Sequence, residues 1–296
     1  MNKTVLLRQG IFLVLLVISC HRNAEEIAEP EKVTLYHTWN SLKEREYGMP
    51  VSPEPLEIPP DGFFPWAGIA SHHILTHDYL DAWFFRLAEM RKPKRFYILS
   101  PSHYGVSLEP FSLTIGSWES GFGLVKSDGI KVRKLAELLN VTLDPGAFHV
   151  EHGVSTFIPY IKKYFPEALV AAIAYEAEPP VNVPLSRRLA EAVENEFDAE
   201  GKKENFLLIS VDFSNHGSLE QTYKRDNYSE QYLRNNGDTS WNMAGCDNRP
   251  GMYVLDRLGK KSRETFILYH TNSWEISNQG KDDITSYFFA YFADRN

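Results

Sequence analysis

Short apolar runs alternate with segments of helical periodicity along most of the chain, and this alternation limits the fold more than any other feature. Residues 95–100 and 206–211 are apolar runs followed by turn residues, which is typical of buried strands. Residues 78–90 and 184–197 instead have apolar side chains at helical spacing. Strands that alternate with helices predict a layered α/β fold.

The same pattern extends over the rest of the chain. Residues 49–61 contain five prolines and are predicted to be irregular. No comparable break follows, so we expect one domain from residue 32 to residue 296. Within it we predict further strands at 66–70, 169–174, 265–270 and 288–292, and further helices at 129–140, 153–165 and 251–258.

The first residues have the composition of an export signal. Lys3 and Arg8 precede an apolar run at residues 11–18, and Ser19 and Cys20 follow it. A basic start, a short apolar stretch and a small residue before the cut are typical of a secretory signal peptide. The run is too short to span a bilayer comfortably. Its end also resembles the bacterial lipobox, whose Cys carries the lipid; an uncleaved anchor and an ordinary signal peptide are the alternatives.

This interpretation gives the chain three parts. Residues 1–19 form the signal peptide, residues 20–31 form a polar tether with lipid attached at Cys20, and residues 32–296 form the α/β domain. The expected location is the bacterial cell envelope. No aspartate follows Cys20, which favours the outer membrane, facing the periplasm. The lipid chains, and not surface charge, would provide the membrane anchor.

Charge and cysteine content narrow the classes of function. The formal net charge is -8, and Lys and Arg are not clustered, so we do not expect a nucleic-acid partner. The chain has two cysteines, and lipid on Cys20 would leave Cys246 as the sole thiol. Cys246 then cannot form an internal disulfide. It is buried filler, a reactive thiol or a metal ligand.

Residues of the types that bind metals follow four of the predicted strands. Sites in open α/β sheets form beyond the carboxyl ends of strands, so these clusters are expected to converge on one site. The alternative is that the loops merely contain His and Asp. The clusters are His72 and His73, His103, residues 212–216, and His270.

Five short motifs, in order, resemble those of the Memo family, also called protein B of the AmmeMemoRadiSam system. No single motif is specific, but the resemblance runs from about residue 62 to residue 293. That family is similar in fold to LigB-type extradiol dioxygenases, which implies a single three-layer domain with a central mixed sheet flanked by helices. The motifs are GIASHH at 68–73, ILSPSH at 98–103, EHGV at 151–154, SVDFS at 210–214 and GCDNRP at 245–250.

The resemblance implies a metal site formed by His72, His103 and Cys246. Imidazole and thiolate suit Fe or Cu, the metals we expect, with Zn as an alternative. Three protein ligands also leave room for water or substrate. His73 adjoins His72, and the sequence does not decide which of the two faces the metal.

The resemblance also implies catalytic roles for His152, Asp212 and His216. His152 would move a proton or bind a ligand oxygen, or it would only form a capping contact together with Glu151. Asp212 would orient a ligand His or serve as a turn residue. Family members often have His at the position of Asn215, so His216 stands one residue later here.

The function that follows is a metal-binding lipoprotein, with metal-dependent oxidoreductase activity on a small-molecule substrate as the first hypothesis. Fold-level analogy alone supports that activity. The alternatives are a non-catalytic metal-binding or redox module and a metal-free binding scaffold in the cell envelope.

Overall fold

The computed structural model describes residues 33–38, 52–234, 240–259, 263–278 and 280–294. The predicted signal peptide, Cys20 and the tether lie outside these residues. Within them, no helix combines the length and the apolar character needed to cross a membrane. Residues 52–61 contain neither helix nor strand, as their prolines predicted.

Eleven strands form in the described part of the chain, and all six predicted strands are among them. The predictions at 95–100 and 206–211 correspond to β3 and β8, with bounds that differ by one residue. The strands are β1 (Leu35–His37), β2 (Ala67–Ala70), β3 (Arg95–Pro101), β4 (Phe111–Leu113), β5 (Ser117–Ser120), β6 (Gly123–Lys126), β7 (Leu169–Tyr175), β8 (Asn205–Ser210), β9 (Phe213–Gly217), β10 (Arg263–Asn272) and β11 (Ile284–Asp294).

Nine α-helices accompany these strands in the described ranges, and short 3₁₀ turns join some of them. The helices are α1 (His77–Met90), α2 (Gly129–Leu139), α3 (His152–Ser155), α4 (Ile158–Tyr164), α5 (Val183–Glu194), α6 (Gly201–Glu204), α7 (Leu219–Arg234), α8 (Arg249–Gly259) and α9 (Ser273–Ser277).

A mixed sheet of eight strands forms the centre of the domain. Its order is β10, β11, β2, β8, β3, β7, β4, and β9 pairs with β11. The four middle strands, β2, β8, β3 and β7, are parallel to one another. The strands beyond them on both sides pair antiparallel. A second, small sheet contains β1, β5 and β6.

Helices cover both faces of the central sheet, which gives the three layers that were expected. Alternate residues of a strand point to opposite faces, so Tyr97 and Leu99 of β3 enter one core and Phe96 and Ile98 enter the other. Helices α2, α5 and α8 contribute to the first core, and α1 and α4 contribute to the second. Both faces are therefore apolar, which explains the unbroken apolar runs of the middle strands.

One predicted helix is divided in two. The sequence predicted a continuous helix over residues 153–165, but the structure has α3 and α4 with a break at Thr156 and Phe157. Pro159 explains the break, because a proline lacks the backbone N–H that a helix interior needs and is tolerated in the first turn. Pro159 lies in the first turn of α4.

Glu196, just after α5, forms a buried ionic contact whose stability depends on pH. Its carboxylate accepts hydrogen bonds from Lys131 Nζ at 2.5 Å, Lys134 Nζ at 2.8 Å and Tyr97 Oη at 3.0 Å. Burial opposes the negative charge, but the two lysines and Tyr97 outweigh it and lower the pKa of Glu196 to about 2. The folded state is therefore stabilised above the unfolded pKa near 4, and this stabilisation is lost as the pH falls towards 2.

We expect Glu196→Gln to lower the free energy of unfolding by about 2 kcal/mol at neutral pH. The difference from the unmodified chain should shrink between about pH 4 and about pH 2, because the wild-type carboxylate becomes protonated there. Urea denaturation across that range measures it. Glu194→Gln is the control, because Glu194 pairs at 3.4 Å with Arg257 at the surface. Equal pH dependence in both variants would contradict the prediction.

Candidate metal centre

The loops that follow β2 and β3 bring two imidazole rings face to edge. His72 follows β2 and is 4% exposed, whereas His103 follows β3 and is partly exposed. Their ring centroids are 4.5 Å apart, and the two Nε2 atoms are 3.1 Å apart. The two strands are parallel and are separated only by β8, so their carboxyl ends lie at the same edge of the sheet.

The outer nitrogens of both rings are held by neighbouring side chains. Nδ1 of His72 lies 2.9 Å from the hydroxyl of Ser210. Nδ1 of His103 donates to Oε1 of Glu151 at 2.6 Å, and the backbone N–H of His103 donates to Oε2 of the same carboxylate at 2.9 Å. A carboxylate only accepts, so Nδ1 of His103 is the donor and its Nε2 is the nitrogen that faces His72.

Two carboxylates complete the surroundings of His72. Its Nε2 lies 3.6 Å from Oδ2 of Asp212 and 3.4 Å from Oδ2 of Asp247. The other oxygen of Asp247 accepts the backbone N–H of Asp212 at 2.9 Å, which joins the two loops. Oδ1 of Asp212 is buried and has no hydrogen-bond partner in the part of the chain that the structure describes. An unpartnered buried oxygen is costly and points to a missing cation or donor.

The carboxylates of the cluster favour a positive charge on the ring of His72. Burial disfavours the imidazolium form of His72, but the carboxylates of Asp212 and Asp247 outweigh it and raise the pKa of His72 to about 9. Burial raises the pKa of Asp212, and His72 opposes that shift. At neutral pH the ring of His72 therefore carries a proton among these oxygens, in a position that suits a metal cation equally well.

His152 is the third imidazole of the cluster. Its ring centroid lies 4.1 Å from that of His103 and 5.2 Å from that of His72. It is the first residue of α3, whose N-terminus is capped by Glu151 through the N–H of Gly153 at 2.8 Å. Burial and the positive charges of His103 and His72 lower the pKa of His152 to about 4. His152 is therefore neutral at physiological pH and can accept a hydrogen bond.

Among the residues that the structure describes, two groups of side chains have ligand atoms that all lie within 4.8 Å of one another. One contains His72, His103 and His152, and the other contains His72, Asp212 and Asp247. Imidazole nitrogens and carboxylate oxygens are common ligands of Zn and Fe. These His and Asp groups could therefore hold a metal ion, and His72 belongs to both.

Cys246, His216 and His73 belong to neither of these groups. Cys246 belongs to neither group of described residues; it is partly buried and packs against the core. Burial, and next the charge of Asp247, raise the pKa of its thiol.

His216 is exposed and pairs with Asp283 at 2.8 Å. His73 is exposed and accepts the N–H of Leu75, so the inward imidazole is that of His72. The ligand role of Cys246 and the catalytic role of His216 remain predictions.

Comparison with known proteins identifies the family. A family model described as "Memo-like protein" matches residues 78–247, which is more than half of the chain. The chain belongs to the Memo family. The matched residues include His103, His152, Asp212 and Cys246, whereas His72 lies just before them.

Curated MEMO1 family proteins from archaea are similar to this Memo-family chain. That of Caldivirga maquilingensis is 27% identical over 64% of this chain and 61% of its own length. That of Pyrobaculum aerophilum is 28% identical over 60% and 62%, and that of Pyrobaculum arsenaticum is 29% identical over 67% and 68%. The chain thus spans about three fifths of the first two. The crystal structure of the uncharacterized protein JW3007 from Escherichia coli K12 covers 76% of this chain and 98% of that one, at 11% identity and a TM-score of 0.43.

Sequence reasoning did not identify three residues of this Memo-family site. Asp247 was overlooked beside Cys246, and Glu151 was considered only as a capping partner of His152. Asn248 is fully buried and fixes the loop, because its side-chain amide donates to the carbonyls of Leu99 and Ser210 at 3.1 and 2.8 Å. A signal for Asp247 was available, since the motif at 245–250 contains a carboxylate next to the thiol.

Gly153 gives a test of how tightly the centre is packed. A Cβ atom at this position would overlap Ser100 Oγ and would lie 3.0 Å from Cε1 of His103 and 3.1 Å from Oε1 of Glu151. We expect Gly153→Ala to shift His103 and to weaken metal binding by about tenfold. Gly129→Ala is the control, because a Cβ there meets only Ile115, at 3.9 Å. Metal titrations of the two folded variants measure the difference, and equal affinities would contradict this view of the packing.

Proposed function

We propose that this protein binds a divalent metal ion between His72 and His103, with Asp212 and Asp247 as carboxylate ligands. One observation carries the proposal: the Nε2 atom of His72 lies 3.1, 3.6 and 3.4 Å from a nitrogen or oxygen of the other three residues. Donor atoms that share a metal ion lie about 3.0–3.6 Å apart, because each bond is about 2.1 Å long.

The chemistry of the surroundings supports the same ion. The buried, unpartnered Oδ1 of Asp212 would gain a partner. Glu151 holds the outer nitrogen of His103, as carboxylates commonly do for histidines that bind metals. Two imidazoles and two carboxylates suit Fe(II) or Zn(II) better than Cu(I), which prefers sulfur ligands. We therefore favour iron, with zinc as the alternative and copper third.

The activity that we propose for this site is a metal-dependent oxidation of a small molecule. A bound iron would supply the redox chemistry, while the chain's own side chains would bind and orient the substrate. His152 is neutral, partly exposed and adjacent to His103, so it can accept a hydrogen bond from a substrate hydroxyl and orient it. Asp212 lies in the buried part of the site, where it would balance the positive charge and not move protons.

A pair of neighbouring substitutions decides the ligand set. Asp247→Asn should weaken binding of Fe(II) or Zn(II) by about 10- to 100-fold, because one anionic ligand is lost. Cys246→Ser should change the metal affinity by less than about threefold if the carboxylate of Asp247 binds the metal and the thiol of Cys246 does not. Both variants keep the size of the side chain, and each is the matched control of the other. The measurement is a titration against a competing chelator, with element analysis of the purified proteins.

The opposite pattern would support the ligand set of the family resemblance. If Cys246→Ser loses the metal and Asp247→Asn retains it fully, the ligand is Cys246 and not Asp247. A wild-type protein that binds no iron, zinc or copper would refute the metal proposal and leave the metal-free scaffold.

Oxygen consumption tests the activity separately. Protein loaded with Fe(II) under anaerobic conditions is mixed with oxygen and a panel of small phenols and carboxylates. Substrate-dependent uptake that is lost in His152→Ala would support the oxidoreductase. Stoichiometric iron without any uptake would favour the non-catalytic metal-binding or redox module.

We also propose that the protein is anchored to the bacterial envelope by lipid on Cys20, at the outer membrane and facing the periplasm. The support is the basic start, the apolar run and Cys20 at its end. Labelling with a radioactive fatty acid tests it: the wild-type chain should carry label, and Cys20→Ser should carry none. Label on both proteins, or on neither, would contradict the proposal.

A further inference from the structure

A cleft of about 640 Å³ lies beside the candidate metal centre. Its lining includes Asp247, and Oδ2 of Asp247 lies 3.4 Å from Nε2 of His72. The cleft therefore extends to the edge of the metal-ligand cluster. Cavities of about 300–1,000 Å³ are typical of small-molecule sites. A molecule bound in this cleft can therefore extend to the metal centre.

Two arginines, the exposed Arg225 and the half-buried Arg249, line this cleft, and neither pairs with a carboxylate of the described residues. Arg249 donates from Nε to the carbonyl of Ala244 at 3.0 Å, and Arg225 donates from Nη1 to the carbonyl of Asn215 at 3.2 Å. Neither guanidinium lies within 4.0 Å of a carboxylate in the described ranges of the chain. Glu178 and Asp247 line the same cleft, yet neither pairs with them.

Several other arginines of the chain do pair with carboxylates, unlike these two. Arg95 pairs with Asp128, Arg234 with Glu57 and Arg263 with Asp256, at 2.5, 2.5 and 3.0 Å. The backbone contacts hold Arg225 and Arg249 in place but use only one N–H of each. The remaining donors match the planar, paired oxygens of a carboxylate or phosphate.

We propose that this cleft binds a small organic anion, with its carboxylate or phosphate at Arg225 and Arg249 and its reactive end at Asp247. Tyr228 and Met243 also line the cleft and offer apolar contact to the body of the molecule. The part of this proposal that concerns the reactive end rests on the metal site proposed above. The part that concerns the anion rests on the two arginines alone.

Calorimetric titration with three probes of similar shape tests the proposal on the full chain. Benzoate carries a carboxylate, phenyl phosphate carries a phosphate, and benzamide is the neutral counterpart of benzoate. We expect at least one anion to bind about tenfold more tightly than benzamide, because only an anion forms charge-assisted hydrogen bonds with arginine. The stronger of the two anions identifies the chemical group.

Substitutions assign the effect to the cleft. Arg249→Gln and Arg225→Gln should each weaken binding of the anion by about tenfold. Arg257→Gln is the control, because Arg257 lies on the same helix as Arg249 but pairs with Glu194 at the surface. It should bind as the wild type does. Circular dichroism confirms that each variant is folded.

The outcomes separate this proposal from the metal site. Equal affinity for benzoate and benzamide, no detectable binding of either anion, or an affinity unchanged by both cleft substitutions would each overturn it. Each titration is repeated after metal is added and after it is removed by a chelator. Anion binding that depends on the arginines in both states supports the cleft even if no metal is retained. Metal binding without anion binding removes the cleft proposal alone.

Discussion

Replacing His72 by Ala is expected to weaken binding of Fe(II) or Zn(II) by at least about 100-fold, since even a residue that only orients a ligand is worth about 10- to 100-fold. His72 is the one side chain shared by both groups of candidate ligands. The substitution removes Nε2 of His72, which lies 3.1, 3.6 and 3.4 Å from atoms of His103, Asp212 and Asp247. A competitive titration of the purified variant gives the affinity.

His73→Ala is the matched control for that experiment. His73 is adjacent in sequence and exposed; its ring caps a short 3₁₀ turn by accepting the N–H of Leu75 at 3.2 Å and lies 5.7 Å from the ring of Tyr287. Losing this cap should cost about 1 kcal/mol of stability or less and should leave the metal affinity within about threefold of wild type. Equal losses in both variants would show that the loop was disturbed. A loss in His73→Ala alone would make His73 the ligand.

The second large effect concerns Arg91, at the end of α1. Its guanidinium is buried and donates four hydrogen bonds to backbone carbonyls, from Nη1 to Pro65 and Lys202 at 2.6 and 3.0 Å and from Nη2 to Lys203 and Asn205 at 2.9 and 3.1 Å. Burial lowers the pKa of Arg91 to about 10, which still leaves it charged at neutral pH. This side chain therefore joins the chain before β2 to the segment that leads into β8.

We expect Arg91→Met to lower the free energy of unfolding by about 3–5 kcal/mol, because four buried or partly buried carbonyls would lose their donor. Methionine fills similar space, so the loss would report on the hydrogen bonds. Urea denaturation measures it, with Arg257→Met as a surface control that should cost about 0.5 kcal/mol or less. A loss below about 1 kcal/mol for Arg91→Met would mean that water replaces the guanidinium.

The layered fold could be predicted from the sequence because the middle strands are buried on both faces. The runs at 95–100 and 206–211 are therefore apolar at almost every position, and the sequence alone identifies them as buried strands. Helix α7 could not be found in this way. Its inward positions include Thr222, Asp226 and Ser229, so it lacks apolar periodicity. Hydrogen bonds stabilise it there instead: Asp226 accepts the hydroxyls of Ser214 and Ser286, each at 2.6 Å.

The candidate site was only partly predictable for a related reason. His72, His103 and Asp212 follow strands that are parallel, so the topology brings them to one edge of the sheet. Asp247 follows no strand of that sheet. Its position depends on how the loop before α8 is attached, which residue spacing along the chain does not reveal. The sequence indicated where a site forms but not which side chain of the GCDNRP motif faces it.

The buried amide of Asn248 contributes to that attachment. Asn248 touches β3 and β8 through its two donated hydrogen bonds, and its Oδ1 accepts the hydroxyl of Tyr175 from β7 at 2.8 Å. A side chain that bonds to three adjacent strands ties the loop to the middle of the central sheet. The carboxylate next to it is therefore preorganised: its position is fixed before any ion arrives. We therefore expect the proposed metal site to select cations by size, because ligands held in fixed positions suit a narrow range of ionic radii.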